Sequence, residues 1–268
     1  MRRLPTPLIA GALIMLALLV CALAPDVVAP YDPIAFDYAN LLQPPSGAHW
    51  FGTDQFGRDI LSRTLAASTI DLQIAAFATL GPLVIGTVIG LLVGYVGGVT
   101  DMLFGRLVDL VVTFPFLVLV IAIVAVLGPG LSNMYIAVSI VGWVFYARLL
   151  RAEVLVLRQQ DFVGACRVMG YGHLRIALRH ILPNAARPII VYWMTDMALA
   201  ILLGSSLGYL GLGAQPPTAE WGVLIADGKN YFTQAWWITL FPGVALVLAG
   251  LGFSLIGDGL ADLLDVKR

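Results

Sequence analysis

The sequence predicts an all-α, polytopic membrane protein with six transmembrane helices. Hydrophobic residues make up 60% of its 268 residues and charged residues only 12%, whereas soluble domains average about 45–50% and about 25%. A helix that crosses a bilayer needs about 20 mostly apolar residues. Six stretches meet that need, namely residues 8–24, 72–96, 102–127, 134–150, 188–210 and 236–256.

The first apolar stretch admits two interpretations. Arg2 and Arg3 before an apolar core are also typical of a secretory signal peptide. Cys21 ends a string like a lipoprotein cleavage box, but Val20 stands where that box has a small residue. Because five more apolar stretches follow, we expect an uncleaved first helix.

The second stretch carries three glycines, Gly86, Gly90 and Gly94, at intervals of four residues. This spacing places them on one face of a helix. Small residues at such intervals let two helix backbones approach closely in lipid. The pattern therefore predicts close helix packing and no chemistry.

Positive charge predicts the orientation of the six helices. An even number of spans puts both termini on one side, and Lys and Arg accumulate on the cytoplasmic side of membrane proteins. With both termini inside, twelve of the 15 basic residues lie inside. We therefore expect cytoplasmic termini, and outer loops at 25–71 and 211–235. We divide the chain into a first helix with its outer loop, 1–71, and a five-helix core, 72–268.

The segment 148–187 is a polar interruption between two apolar stretches and contains seven arginines. Asp161 is predicted to cap the N-terminus of a short helix, and Gly170 suits the left-handed residue that ends one. The spacing of Phe162, Ala165, Cys166 and Met169 puts them on one face.

A second short helix is predicted at 173–182, with Leu174, Ala177, Leu178 and Ile181 on one face and Pro183 at its end. An amphipathic helix of this kind fits a groove of a partner protein. It fits equally well against the protein's own spans or in the lipid interface. Spacing alone leaves these alternatives open.

Several separated strings resemble one family. DFVGACRVMG at 161–170, followed by ILPN at 181–184, resembles the EAA-loop signature of permeases in binding-protein-dependent ATP-binding cassette (ABC) importers. Other strings are similar to the dipeptide/oligopeptide/nickel subfamily, second-permease type. They are FGTDQFGRD at 51–59, YLGLG at 209–213, QPP at 215–217, EWG at 220–222, and GDGL at 257–260 with Asp262.

The resemblance covers about residues 30–268 and implies a type I ABC importer permease, multi-pass in the bacterial inner membrane. Its EAA-like loop, about 151–187, would carry a cytoplasmic coupling helix. The implied partners are two ATP-binding subunits or domains, a second homologous permease in a heterodimer, a soluble substrate-binding protein and membrane lipid, but no nucleic acid. The ATPase-coupling residues implied are Phe162, Gly164, Ala165, Cys166, Arg167, Met169 and Gly170.

The chain departs from the signature at two positions. Gly164 stands where the family has the glutamate of the EAA triplet, and Cys166 replaces its second alanine. Gly164 has no charge to offer. We therefore expect docking at this loop to depend on shape and apolar contact.

The same reasoning predicts that the chain is not an enzyme. A Walker A loop is missing from the sequence, since Gly228 and Lys229 are followed by Asn230. ATP hydrolysis is thus expected on separate subunits, and no cofactor is expected. Two alternative functions are open to the chain. An intramembrane hydrolase using Ser205 or Ser206 would lack a histidine base at membrane depth, and a single-component ion-coupled transporter would have only one intramembrane acid.

That acid is Asp196, in the fifth apolar stretch. A charged side chain at the bilayer centre costs about 2.5–3.5 kcal/mol on insertion scales, so it faces protein or water. Asp196 is either a substrate-pathway residue or a hydrogen-bond partner for another helix. The predicted substrates are peptides, nickel or metal chelates. The string at 218–222 resembles the nickel-type members more than the peptide-type ones.

Overall fold

The computed structural model describes residues 4–264, and the regular secondary structure in that range is helical, which confirms the all-α prediction. The helices are α1 Thr6–Leu23, α2 Pro25–Val28, α3 Ile60–Val96, α4 Gly98–Val112, α5 Phe116–Leu127, α6 Leu131–Leu157, α7 Asp161–Val168, α8 His173–Ile176, α9 Leu182–Tyr209, α10 Trp221–Gly228 and α11 Trp237–Leu263. A π-helical turn, Ala177–Ile181, joins α8 to α9, and a 3₁₀ turn, Lys229–Tyr231, follows α10.

The multi-pass prediction is confirmed. Four helical segments within 4–264 are long and apolar enough to cross a membrane: α1, α3, the continuous stretch His173–Tyr209, and α11. The pair α4 and α5 makes a fifth if it is one span. The fourth predicted stretch, 134–150, lies within α6, whose 27 residues extend roughly 40 Å.

The predicted span 102–127 is not one straight helix. It is broken between Val112 and Phe116, and the two halves meet at 81°. Pro115 explains the break, because proline has no N–H to donate and its ring disfavours helical geometry in the preceding residue.

The close packing predicted from the spaced glycines is confirmed where α3 lies against α6. A Cβ added to Gly86 would come within 2.4 Å of the Trp143 carbonyl oxygen. One added to Gly90 would come within 2.5 Å of the Ala147 carbonyl oxygen. The two backbones are therefore in direct contact, and α6 is fixed against α3.

The bundle has two different polar ends. We call the end that carries α7 and α8 the arginine end, and the end that carries residues 25–59 and 210–236 the loop end. At the arginine end, Arg158 donates to the carbonyl oxygen of Gly94 over 3.1 Å, near the C-terminus of α3. The basic residues at positions 2, 3, 267 and 268 lie outside the described residues.

The loop end is held together by buried polar contacts. Asp59 caps α3 by accepting from the Ser62 N–H over 2.8 Å. Arg58 pairs with Asp54 at 2.6 Å and with Asp227 of α10 at 3.4 Å. The long loop and α10 are thus tied into one unit above the helices.

Candidate functional site

The N-terminus of α7 differs by one residue from the prediction. Gln160 occupies the cap position, Asp161 is the first helical residue, and no side chain caps the helix. The carboxylate of Asp161 still lies next to the free N–H groups of the first turn, where negative charge is favourable. The expectation that Asp161 is the N-cap was therefore wrong.

The C-terminus of α7 agrees with the prediction. Gly170 has φ +75°, the left-handed conformation that glycine adopts without steric cost. The Tyr171 N–H donates to the Cys166 carbonyl over 3.1 Å, and the Gly170 N–H donates to the Arg167 carbonyl over 3.0 Å. These two bonds form a Schellman motif, so Gly170 fixes where α7 stops and the chain turns.

The predicted face of α7 needs one correction. Phe162, Ala165 and Met169 are exposed as expected, but Cys166 is only 4% exposed. Cys166 packs with Val163 into a core cluster that includes Leu150 and Ile176. Helix α7 has apolar residues on both sides, and the spacing defined a face without showing which side the fold buries.

Val168 takes the place of Cys166 on the exposed face. Its side chain is 91% exposed, beside Met169 at 59%. The signal was present in the sequence, since Phe162, Ala165 and Val168 follow each other at intervals of three. We call the exposed set Phe162, Ala165, Val168 and Met169 the α7 face.

The second predicted helix does not end at Pro183. The chain stays helical from His173 to Tyr209, with the π turn placing Pro183 in the first turn of α9. A proline in a first turn costs little because its missing N–H would have no intrahelical partner. Leu174 and Leu178 are exposed, whereas Ala177 and Ile181 are buried against the core.

Gly164 lies at the rim of a polar cavity of about 550 Å³ between α7 and the C-terminus of α3. Arg158 and Arg167 line the same cavity. A Cβ added to Gly164 would meet nothing within 4 Å. The position therefore has room for a side chain, and its exposed backbone is open to a partner.

Asp196 lies far from α7 along the chain, near the middle of α9. It faces a cavity of about 430 Å³, which we call the central cavity. The Tyr146 hydroxyl of α6 donates to Asp196 Oδ2 over 2.6 Å. The lining residues are Thr79, Pro82, Phe116, Leu117, Val138, Gly142, Phe145, Tyr192, Asp196, Leu199, Ala200, Leu202, Leu203 and Ser206.

A buried carboxyl cluster at the loop end was not predicted from the sequence. Ser205 Oγ lies 3.0 Å from Glu220 Oε1, to which it donates, and 3.4 Å from Asp71 Oδ1. Glu220 caps α10 by accepting from the N–H groups of Gly222 at 2.7 Å and Val223 at 2.9 Å. Burial raises the pKa of the Glu220 carboxyl, and the two backbone donors oppose that rise.

The same cluster bears on the hydrolase alternative. Ser205 is held by carboxyl groups, and Ser206 donates to the Leu202 carbonyl over 2.7 Å. Among the hydrogen bonds of residues 4–264, neither hydroxyl is paired with a histidine. The serines act here as helix and loop contacts.

Comparison with known proteins identifies the family. Residues 86–268 match the family described as "Binding-protein-dependent transport system inner membrane component". The chain belongs to this family. It is a permease subunit of an ABC importer, and it is not an enzyme, because ATP is hydrolysed by separate subunits of such systems.

Curated relatives match nearly the whole permease. The dipeptide transport system permease protein of Alkalihalophilus pseudofirmus is 43% identical over 97% of this chain and 85% of its own length. A probable D,D-dipeptide transport system permease protein of Escherichia coli K12 is 42% identical over 98% and 88%. A glutathione transport system permease protein of Pectobacterium atrosepticum is 40% identical over 97% and 86%.

The predicted site residues of the permease fall into two places. Phe162, Ala165 and Met169 share the α7 face, and Gly164, Arg167 and Gly170 are exposed beside it. Cys166 points into the core, and Asp196 lies apart in the central cavity. The permease thus exposes the apolar α7 face at its arginine end, and Asp196 lies at a separate cavity inside its bundle.

Proposed function

We propose that this permease moves peptides through the bacterial inner membrane, powered by two ATP-binding subunits, one of which docks on α7. The observation that carries the proposal is the α7 face, a set of exposed apolar side chains on a short helix at the end richest in arginine. The names of the relatives, for dipeptide, D,D-dipeptide and glutathione transport, support peptides over nickel or metal chelates.

In this proposal, both termini and the arginine end of the permease lie in the cytoplasm. The excess of Arg and Lys on that side supports this orientation. A soluble binding protein then delivers the substrate to the loop end, and a second homologous permease completes a heterodimer in the membrane.

Coupling follows from how α7 is anchored. Phe162, Ala165, Val168 and Met169 enter a groove of the ATPase, a helix-in-groove contact, with Arg167 and the bare backbone of Gly164 beside them. Val163 and Cys166 fasten the other side of α7 to the core. When the ATPase subunits close, α7 and the helices packed on it move together as a rigid body.

The pathway in this proposal passes the central cavity and Asp196. The cavity lies between α3, α5, α6 and α9, at the depth where helical spans cross the bilayer. An acid at that depth faces water or a polar group, and the cavity supplies such a place.

The coupling contact is tested by Ala165→Asp, which puts a charge on the α7 face. The matched control is Ala152→Asp, an exposed alanine on α6. With the whole importer expressed in membranes, we expect Ala165→Asp to abolish co-purification of the ATPase subunits with normal permease yield, and Ala152→Asp to retain it. Retention of the ATPase by Ala165→Asp would contradict docking on this face.

The substrate is tested by uptake in proteoliposomes that contain the complete importer and its binding protein. We expect ATP-dependent accumulation of a labelled dipeptide. Accumulation of nickel without any dipeptide uptake would show that the substrate assignment is wrong.

A further inference from the structure

Asp196 is unusual among the side chains around the central cavity. Of the described lining residues it alone carries a formal charge, and most of the others are aliphatic or aromatic. A lone carboxylate inside a membrane bundle needs a compensating donor or cation. The contacts of Asp196 therefore show how many compensating donors or cations it has.

Tyr146 compensates Asp196 only in part. Its hydroxyl donates to Oδ2, whereas a carboxylate has acceptor capacity for about four hydrogen bonds. Within residues 4–264, Oδ1 accepts no hydrogen bond, and no Arg, Lys or His forms an ion pair with Asp196. One oxygen of the carboxylate is thus left for a group that enters the cavity.

Aromatic rings line the central cavity that Asp196 faces. Tyr192 lines it and packs edge-to-face on Tyr146, with ring centroids 5.0 Å apart. Phe116 and Phe145, also in the lining, make a second edge-to-face pair at 5.8 Å. Cations are attracted to the faces of such rings, and a carboxylate beside aromatic rings is a suitable site for an organic ammonium ion.

The size and polarity of the cavity fit the rest of such a molecule. Small-molecule sites are mostly apolar and measure about 300–1,000 Å³, and this cavity measures about 430 Å³. A divalent metal ion prefers several oxygen or nitrogen ligands. A single carboxylate instead suits an organic molecule that carries one positive charge.

We propose that Asp196 and Tyr192 form a site that binds the α-ammonium group of the peptide in transit. Tyr146 is a positioning residue, because its hydroxyl fixes Asp196 Oδ2 and leaves Oδ1 without a hydrogen-bond donor among the described residues. This inference rests on the proposed function, since it names the part of the peptide that the pathway recognises.

The test measures binding to the purified, assembled importer without its binding protein. The probes are alaninamide, which carries an ammonium group, and lactamide, which carries a hydroxyl in its place. Saturation-transfer NMR titrations should show alaninamide binding that Asp196→Asn weakens at least about tenfold, as expected for loss of a charged hydrogen bond. Asp196→Glu should restore part of it, and Asp109→Asn, an exposed acid on α4, should leave it unchanged.

The role of Tyr146 has its own readout. Tyr146→Phe should weaken alaninamide binding and leave the weak lactamide signal unaltered, whereas a general structural defect would lower both. Equal binding of the two probes by the wild type would overturn the ammonium site. Displacement of alaninamide by potassium ions at matched ionic strength would overturn it as well, by showing a general cation site.

Uptake separates this inference from the proposed function. If the wild-type importer accumulates no dipeptide, the proposed function fails, whatever binds to Asp196. If it does, and Asp196→Asn binds alaninamide as tightly as the wild type, the ammonium site alone fails. Support for both requires that Asp196→Asn lose dipeptide uptake while ATPase subunits remain associated.

Discussion

Replacing Glu220 by alanine tests the buried cluster at the loop end. Glu220 is fully buried and holds three donors at once: the N–H groups of Gly222 and Val223 and the hydroxyl of Ser205. In Glu220→Ala the two backbone donors lose their acceptor, and Ser205 keeps only its longer contact of 3.4 Å to Asp71 Oδ1. The region is closely packed, since a Cβ on Gly222 would come within 2.0 Å of the Ser205 carbonyl oxygen.

The expected loss follows from these contacts. Removing a side-chain cap costs about 0.5–2 kcal/mol, and each buried donor left unpaired costs about 1–3 kcal/mol. Loss of the charge repulsion between Glu220 and Asp71 offsets part of this cost. We therefore expect Glu220→Ala to lower the free energy of unfolding of the loop end by about 2–4 kcal/mol. Glu220→Gln should lose less, because it keeps one oxygen acceptor and the side-chain volume.

The assay is thermal unfolding of the assembled importer in detergent, followed by tryptophan fluorescence, since Trp221 is fully buried beside the cluster. Limited proteolysis of the loop at 210–236 gives an independent measure of local opening. The control is Glu153→Ala, at an acid on α6, which should stay within about 0.5 kcal/mol of the wild type. Equal stability of Glu220→Ala and Glu153→Ala would refute the cluster's structural role.

Three further predictions concern pH and helix α7. Burial raises the pKa of Glu220 above its ordinary value of 4.5, so above pH 4.5 the folded state binds more protons than the unfolded state. Stability should therefore be highest below that pH and decrease as the pH rises through the folded pKa. Unfolding measured as a function of pH should show a smaller decrease for Glu220→Gln. Gly164→Ala should stabilise α7 by about 0.5–1 kcal/mol, because the added methyl group meets nothing within 4 Å; thermal unfolding measures the gain. Gly170→Ala should cost about 1 kcal/mol or more, because φ is +75° there, and should weaken ATPase association measured by co-purification under increasing salt.

The position of α7 could be predicted from the sequence, but its buried side could not. Gly170 marks a helix end through its own conformational freedom, so the boundary is a local property that one sequence reveals. The burial of Cys166 depends on the core around Val163 and Ile176, which other helices form. A short helix with apolar residues on both sides leaves that choice to tertiary packing.

Two errors about proline have a related cause. Pro115 breaks a predicted span, whereas Pro183 is accommodated inside a long helix. The effect of a proline depends on whether the preceding turn already lacks the hydrogen bond that proline removes. A π turn provides that condition before Pro183, and such a turn has no clear signature in the sequence.

Three groups of contacts that could not be predicted meet on one helical stretch, His173–Tyr209, whose 37 residues extend roughly 55 Å. Its first turns pack Ile176 and Ile181 into the core beneath α7. Its middle carries Asp196, and near its end Ser205 is bonded to Glu220. Packed helices shift as rigid units, so under the proposed coupling this stretch is the connection from α7 to the central cavity and the loop end. The π turn is its irregular element, and turns of that kind occur often at functional sites.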